Sequence, residues 1–334
     1  MIVDVLTPSG ASPSSVAITF EVLLTANRVL LGRRREPAFA VRAIGDAAQA
    51  AIAFAGVPDP APRGSAALVI VPGLALASEA AVSEGLARPE LVAARRTLAE
   101  AAAGGAEIAA SCSGVFLVAG AGLLEGRRAT TSWWLAPAFR RMFPNVRLDT
   151  APLVVRDGPV TTAGAAMAQL DLMLALVARH AGSDVAAHCA RYLIVDERRS
   201  QLPYMAISLL AASDVHVAQA EGWARSRLHE GIRVEDLAAA VGMAPRTFAR
   251  RVEGATGLSP VRFLQRLRIE RALELFATTR ASLEAVSHQV GYAEPSTLRR
   301  LLRAEGVTLP RRPPPGRGDP SLAAASRRVR AGPG

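Results

Sequence analysis

Lysine is absent: all 39 basic side chains are arginines. A composition bias explains that most simply, and no mechanism is drawn from it. Cysteine is nearly absent too. Two residues, Cys112 and Cys189, exclude a disulfide framework and point to a reducing compartment, the cytoplasm. Aromatic residues make up only 4% of the chain, so any core must be built from Ala, Val and Leu. No uncharged apolar run reaches the ~18 residues of a membrane span; Asp171 interrupts the best candidate, 163–178. The opening "MIVDVLTPSG" lacks a charged segment leading into an apolar one, so no signal peptide and no membrane partner are expected. None of the five histidines precedes His180. No metal and no cofactor is expected.

What is present is ample apolar material, half of 334 residues, enough for two domains. The formal charge of +10 is uneven: residues 1–200 carry +2 and residues 201–334 carry +8. About half of the second excess lies after Pro310, in a Pro-, Gly- and Arg-rich tail that reads as disordered. The asymmetry makes nucleic acid the expected partner of the second half.

Short apolar runs alternate with helical patterns in the first half. "IVDVL", "FAVRAIG" (39–45), "ALVIVPG" (67–73), "AEIAASC" and "PVTTAG" read as strands. Residues 19–31, 89–105 and 165–182 read as helices, and the alternation implies a mostly parallel sheet covered on both faces. "RRSQLPYM" reads as an exposed linker, and the pattern is all-helical after about Val215.

Two segments of the second half repeat one device: "VEDLAAAVGMAPRTFARRVEGATG" (234–257) and "SLEAVSHQVGYAEPSTLRRLLRAEG" (282–306). Each is an apolar-periodic helix, a Val-Gly turn, and a second helix near Pro that carries consecutive arginines. Gly242 and Gly291 stand 49 residues apart, and a turn of this kind favours positive φ. Burying Phe248 and Val252, then Leu298 with Leu301 or Leu302, leaves Arg246, Thr247, Arg250 and Arg251 exposed in the first copy. In the second it leaves Ser296, Thr297, Arg299, Arg300 and Arg303. Arginine grips guanine edges or phosphates, and two helices on one linker fit successive major grooves ~34 Å apart. A helical bundle with a solvated arginine face is the alternative, disfavoured by the tandem punctuation.

With "LAAAVGMAPRTFARRV", "ATGLSPVRFLQRLRIERAL" and "VSHQVGYAEPSTLRRLLRAEGV", residues 216–310 resemble the AraC/XylS-type DNA-binding domain. The resemblance implies a double helix-turn-helix transcription module. Arg246, Thr247 and Arg250 fall on its first recognition helix, and Ser296, Thr297 and Arg299 on its second. Leu298 replaces the family's usual Phe, and the aromatic that follows Pro310 in the family is missing.

In the first half, "ASCSGVF" (110–116) has the small-x-nucleophile-x-Gly form of a sharp strand-to-helix turn. Such a turn sets Cys112 against unpaired backbone N–H groups, which favours its thiolate. No histidine lies on the loops around it; only His180 or His188 could reach it from a late helix. Glu21, on the first helix, could face the elbow or solvent. Cys189 reads as a packing residue.

The pieces "FEVLLTANRVL", "LVIVPG", "ASCSGVFLVAGAGLLEGRRATTSWW", "NVRLD", "VTTAGAAMAQLDLMLALV" and "ARYLIVDERR" resemble PfpI-like members of the class I glutamine amidotransferase-like superfamily. Joined to the second half, the chain resembles a GlxA-type transcriptional regulator. The resemblance implies an α/β ligand-binding and dimerisation domain (1–195), a linker (196–215), an all-α double helix-turn-helix domain (216–310) and a disordered basic tail (311–334). It also implies a ligand site at Cys112, Ser113, Glu21, Gly73, Ser132 and Trp133, with Glu21 beside the thiol and Gly73 at an oxyanion-type loop. Ser132 and Trp133 follow the Thr-Thr pair where many relatives have His, and the Asp that isonitrile hydratases carry ahead of the Glu is missing. The expectation is therefore sensing without turnover. The implied partners are double-stranded promoter DNA, a small-molecule effector, RNA polymerase and a second copy of the chain. A Cys112-dependent hydrolase or hydratase, and a thiol redox sensor, are the alternatives.

Overall fold

The computed structural model describes residues 1–45, 64–196, 198 and 200–304. The tail expected at 311–334 and Pro310 lie outside the described residues.

The first half runs β1 (Ile2–Leu6), α1 (Pro13–Gly32), β2 (Ala40–Ile44), β3 (Leu68–Val71), α2 (Glu79–Leu86), α3 (Pro89–Ala103), β4 (Glu107–Ser111) and α4 (Gly114–Gly120). It continues with β5 (Arg128–Ala129), α5 (Ala136–Met142), β6 (Arg147–Leu148), β7 (Val154–Asp157), β8 (Val160–Ala163), α6 (Ala168–Ala181) and α7 (Ser183–Tyr192). Six strands form one sheet in the order β2-β1-β3-β4-β8-β7, parallel except for β7, which pairs antiparallel with β8. The expected α/β architecture is present.

The apolar strand "LVIV" of β3 shows why the sheet needs cover on both sides. Leu68 and Ile70 enter one core with α1, α6 and α7, while Val69 and Val71 enter a second with α2, α3, α4 and α5. All four are fully buried, as strands of a doubly covered parallel sheet are. One helix among the described residues, Pro13–Gly32, is long and apolar enough to cross a membrane. Its buried residues include Phe20, Leu23, Ala26 and Leu30, which pack in the first of these cores.

The second half is helical: α8 (Ile207–Ala211), α9 (Val215–Arg227), α10 (Val234–Ala240), α11 (Pro245–Thr256), α12 (Pro260–Thr278), α13 (Leu283–Gln289) and α14 (Pro295–Ala304). It has two cores. Phe248 and Val252 of α11 pack in the first with Phe263, Leu264 and Leu267 of α12. Ile269, Ala272 and Leu275, further along α12, pack in the second with Leu298, Leu301 and Leu302 of α14. One helix of about 28 Å, at 1.5 Å per residue, thus threads both cores.

The segment expected as an exposed linker, 196–215, departs from that reading. Met205, Ile207, Leu210 and Ala211 are buried in the first helical core. The buried Arg266 donates to the Met205 carbonyl (3.2 Å), and the Ile207 amide donates to Glu270 (3.1 Å). The charged "DERR" hid the apolar i, i+3, i+4 pattern that follows it.

Candidate functional site

The two repeated segments close their turns with the same pair of backbone hydrogen bonds. In the first, Gly242 N–H donates to the Ala239 carbonyl (3.0 Å) and Met243 N–H to that of Ala238 (2.9 Å). In the second, Gly291 donates to His288 (3.0 Å) and Tyr292 to Ser287 (2.9 Å), each position displaced by 49 residues. This six-to-one closure needs a left-handed residue, and the glycines supply φ of +66° and +79°. Pro245 and Pro295 then start α11 and α14, their fixed φ suiting a first turn.

Phe248 and Val252 on α11, and Leu298, Leu301 and Leu302 on α14, are buried. Their period turns Arg246, Thr247 and Arg250 to solvent on α11, and Ser296, Arg299, Arg300 and Arg303 on α14; Thr297 is half-buried. Arg251 does not join this face. It is half-buried and bound to Asp214 (2.7 Å), whose carboxylate also caps α9 by accepting from His216 and Val217. Burial alone would raise the Asp214 pKa, but the hydrogen bond from Arg251 and those two amides bring it below the usual value.

Cys112 lies directly after the C-terminal end of β4, the strand between β3 and β8. Its φ of +54° is rare for a side-chain-bearing residue, and its amide donates to the carbonyls of Ala163 (3.1 Å) and Gly164 (2.8 Å). Thr131 Oγ1 donates to the Cys112 carbonyl (2.7 Å) and Ser132 Oγ to the thiol sulfur (2.9 Å). Gly114 is required: a Cβ there would collide with the Pro72 carbonyl, so only glycine lets the start of α4 and the loop after β3 approach this closely. A Cβ on Gly73 would lie 3.3 Å from Cys112 Cβ and 3.2 Å from Ser15 Oγ. The structure therefore brings Cys112, Gly73 and Ser132 together, adds Ser15 and Thr131, and leaves the thiol buried.

Three expected members are placed elsewhere. Glu21 is exposed and pairs with Arg28 (3.6 Å). The helix begins at Pro13, so Ser15, six residues and two-thirds of a turn out of phase with Glu21, faces the elbow instead. The N-terminal signal was the Ser12-Pro13 pair that starts α1. The Ser113 hydroxyl is tied to Leu74, donating to its carbonyl and accepting from its amide (3.0 Å). Trp133 turns away from the elbow into the helical core with Phe248 and Val252, its ring edge-on to Trp134.

The late histidines stand far from the thiol. His180 Nε2 is 3.4 Å from Glu107, at the opposite end of β4, roughly 16 Å along the strand. His188 binds Arg33 at the end of α1 (2.8 Å). Cys189 is fully buried, and burial pushes its thiol pKa up, as for a packing residue. Among the described residues no group of His, Cys, Asp and Glu is placed to hold a metal ion.

Residues 237–312 match a family model described as a helix-turn-helix domain. The HTH-type transcriptional regulator GbdR of Pseudomonas aeruginosa is 26% identical over 191 residues, 56% of this chain and 52% of that protein. The HTH-type transcriptional regulator GlxA of Rhizobium meliloti is 25% identical over 195 residues, 58% of this chain and 60% of that protein. The chain thus spans between half and three-fifths of the length of these two relatives. A crystal structure of an AraC family transcriptional regulator from Pseudomonas putida covers 57% of this chain and 98% of its own, with 23% identity and a TM-score of 0.43. Homologues are mainly transcriptional regulators. The chain carries an AraC-type helix-turn-helix domain toward its C-terminal end, and GlxA and related HTH-type regulators are its homologues.

Proposed function

We propose that the chain is a sequence-specific, DNA-binding transcriptional regulator that acts in the cytoplasm as a homodimer. Its helical half, 216–310, reads double-stranded promoter DNA. Arg246, Thr247 and Arg250 enter one groove; Ser296, Thr297, Arg299, Arg300 and Arg303 enter or flank the next. Its α/β half, 1–195, senses a small molecule without turning it over, and RNA polymerase is a further partner. The observation that carries the reading is the pair of glycine turns closed by the same hydrogen bonds, each followed by a helix with solvent-facing arginines, both packed along one helix of about 28 Å.

The test is fluorescence anisotropy of the full chain on labelled duplexes at rising salt. Neutralising Z phosphates gives a log–log slope of about −0.9Z, so five contacts should give a slope near −4.5. A flat response would remove the arginine-face argument.

Chemistry at Cys112 is a second reading, favoured by the strained φ of +54° and by Ser132 Oγ on the sulfur. It covers both a hydrolase or hydratase and a redox sensor, and Cys112→Ala is its test. Loss of turnover would identify the first, and loss of a peroxide response in DNA binding would identify the second.

A further inference from the structure

The two halves meet where α5 and the residues after β6 face the start of α12, and they frame a solvent-open cavity of about 270 Å³. Arg140, Arg262 and Arg266 line it, and Asp149 is the single carboxylate among its lining residues. Asp149 is partly engaged already, accepting from the Ala151 amide (3.0 Å). Arg266 is turned to the Met205 carbonyl (3.2 Å) and to Glu270 (3.8 Å).

Arg140 is different. Its Nη1 is buried with no hydrogen-bond partner among the described residues. The guanidinium lies against the Cα of Gly257, in the space any side chain there would fill. Burial pulls its pKa down, and Asp149 offsets this in part. Guanidinium stays protonated in proteins, so the cavity keeps a positive charge, one of whose donors, Nη1, has no hydrogen-bond partner among the described residues. Arg262 is exposed in the first turn of α12 and faces the same space.

We propose that this cavity binds a small anion carrying a carboxylate or phosphate group, held between Arg140 of the α/β half and Arg262 of the helical half. Guanidinium pairs oxyanions of either kind with two parallel N–H···O bonds. The volume equals that of about nine waters at ~30 Å³ each, which admits a metabolite of modest size and excludes a nucleic-acid strand. Gly257 caps α11, the first recognition helix, and α12 connects both helix-turn-helix units. An anion bridging Arg140 and Arg262 fixes the α/β half against the end of that recognition helix. The regulatory consequence rests on the proposed DNA-binding function; the binding itself does not.

The experiment is calorimetric titration of the full chain with sodium phosphate and, separately, with sodium succinate, sodium chloride being matched throughout. Saturable binding of at least one anion is expected, weakened at least tenfold in Arg140→Gln and in Arg262→Gln, and kept within twofold in Arg246→Ala and Arg299→Ala. Response to phosphate alone identifies a phosphate-bearing ligand, and response to succinate alone a carboxylate. No saturable heat with either anion overturns the site. So does weakening in the Arg246 and Arg299 variants but not in the other two, which would place the anion on the DNA-facing arginines. If circular dichroism shows Arg140→Gln unfolded, the exposed Arg262→Gln decides. Duplex affinity is then measured with and without the bound anion; a change of threefold or more supports the regulatory role, and an unchanged affinity overturns it while the binding stands. A chain that binds the anion but no duplex refutes the DNA-binding function alone.

Discussion

Replacing Trp133 by alanine should uncouple the two halves of the molecule. Trp133 belongs to the α/β half by sequence, directly after the Ser132 whose hydroxyl meets the Cys112 sulfur, yet its ring is only 7% exposed and lies in the helical core. A buried tryptophan hides 150–250 Å²; at about 25 cal/mol/Å², that is roughly 4–6 kcal/mol, an upper bound because the unfolded chain already buries part of it. Measured truncations of this kind cost about 3–5 kcal/mol. Part of this loss falls on the contact between halves, since Trp133 shares its core with Phe248 and Val252 of the helical half as well as with Trp134 of its own. The assay is urea unfolding of a Trp134→Phe background, followed by far-UV circular dichroism and by tryptophan fluorescence, which comes from Trp133 and Trp223 in that background and from Trp223 alone, on α9 under Arg227, once Trp133 is replaced. Coincident transitions should separate in Trp133→Ala, with the Trp223 signal melting first. A single transition displaced by less than about 1 kcal/mol, within the scatter of surface substitutions, would refute the claim that this side chain joins the halves.

Other substitutions test the remaining parts. Arg246→Ala or Arg299→Ala should each relax base preference by about 1–3 kcal/mol in competition binding. Arg251→Ala should leave sequence preference unchanged and lower stability by about 1 kcal/mol or less, as it loses an ion pair with Asp214 that is partly exposed. Gly291→Ala should destabilise well beyond Gly242→Ala. Both forfeit a positive φ, about 1–2 kcal/mol, but only at 291 would the new Cβ strike a backbone carbonyl, that of Leu228. His180 has its pKa lowered by burial, with Glu107 pulling the other way. Its folded state therefore holds fewer protons than the unfolded chain, so stability should be full above pH ~6.5 and fall as the pH drops below it. His180→Gln should flatten that part of a Tm-against-pH curve.

The helical half was legible because its information is local. Two Val-Gly turns, the proline starts and the apolar period within each helix place Phe248, Val252, Leu298 and the outward arginines without reference to any other part of the chain. Arg251 escaped because its partner, Asp214, lies 37 residues earlier and caps a different helix. Five strands of the first half, β1 to β4 and β8, were legible for the same reason, as short apolar runs; β5, β6 and β7 were not, since the first two are two residues long and β7 ends in the charged Arg156-Asp157. The elbow was half legible. The Cys-Ser-Gly turn was plain, but which α1 residue faces it depends on helix phase, and reading the helix from Thr19 rather than Pro13 selected Glu21 where Ser15 stands. The joint between the halves was not legible, because adjacent residues Ser132 and Trp133 point into different halves, and the charged run near 196 masked the burial of Met205 and Ile207.

The most direct test is selection of duplexes from a random pool by the full chain, followed by sequencing of the bound fraction. Two arginine-bearing helices on one rigid linker predict an enriched motif with two recognised segments about one helical turn apart, ~10 base pairs centre to centre. That motif should degenerate at one segment in Arg246→Ala and at the other in Arg299→Ala. A bound pool no different in sequence from the starting pool would contradict the account.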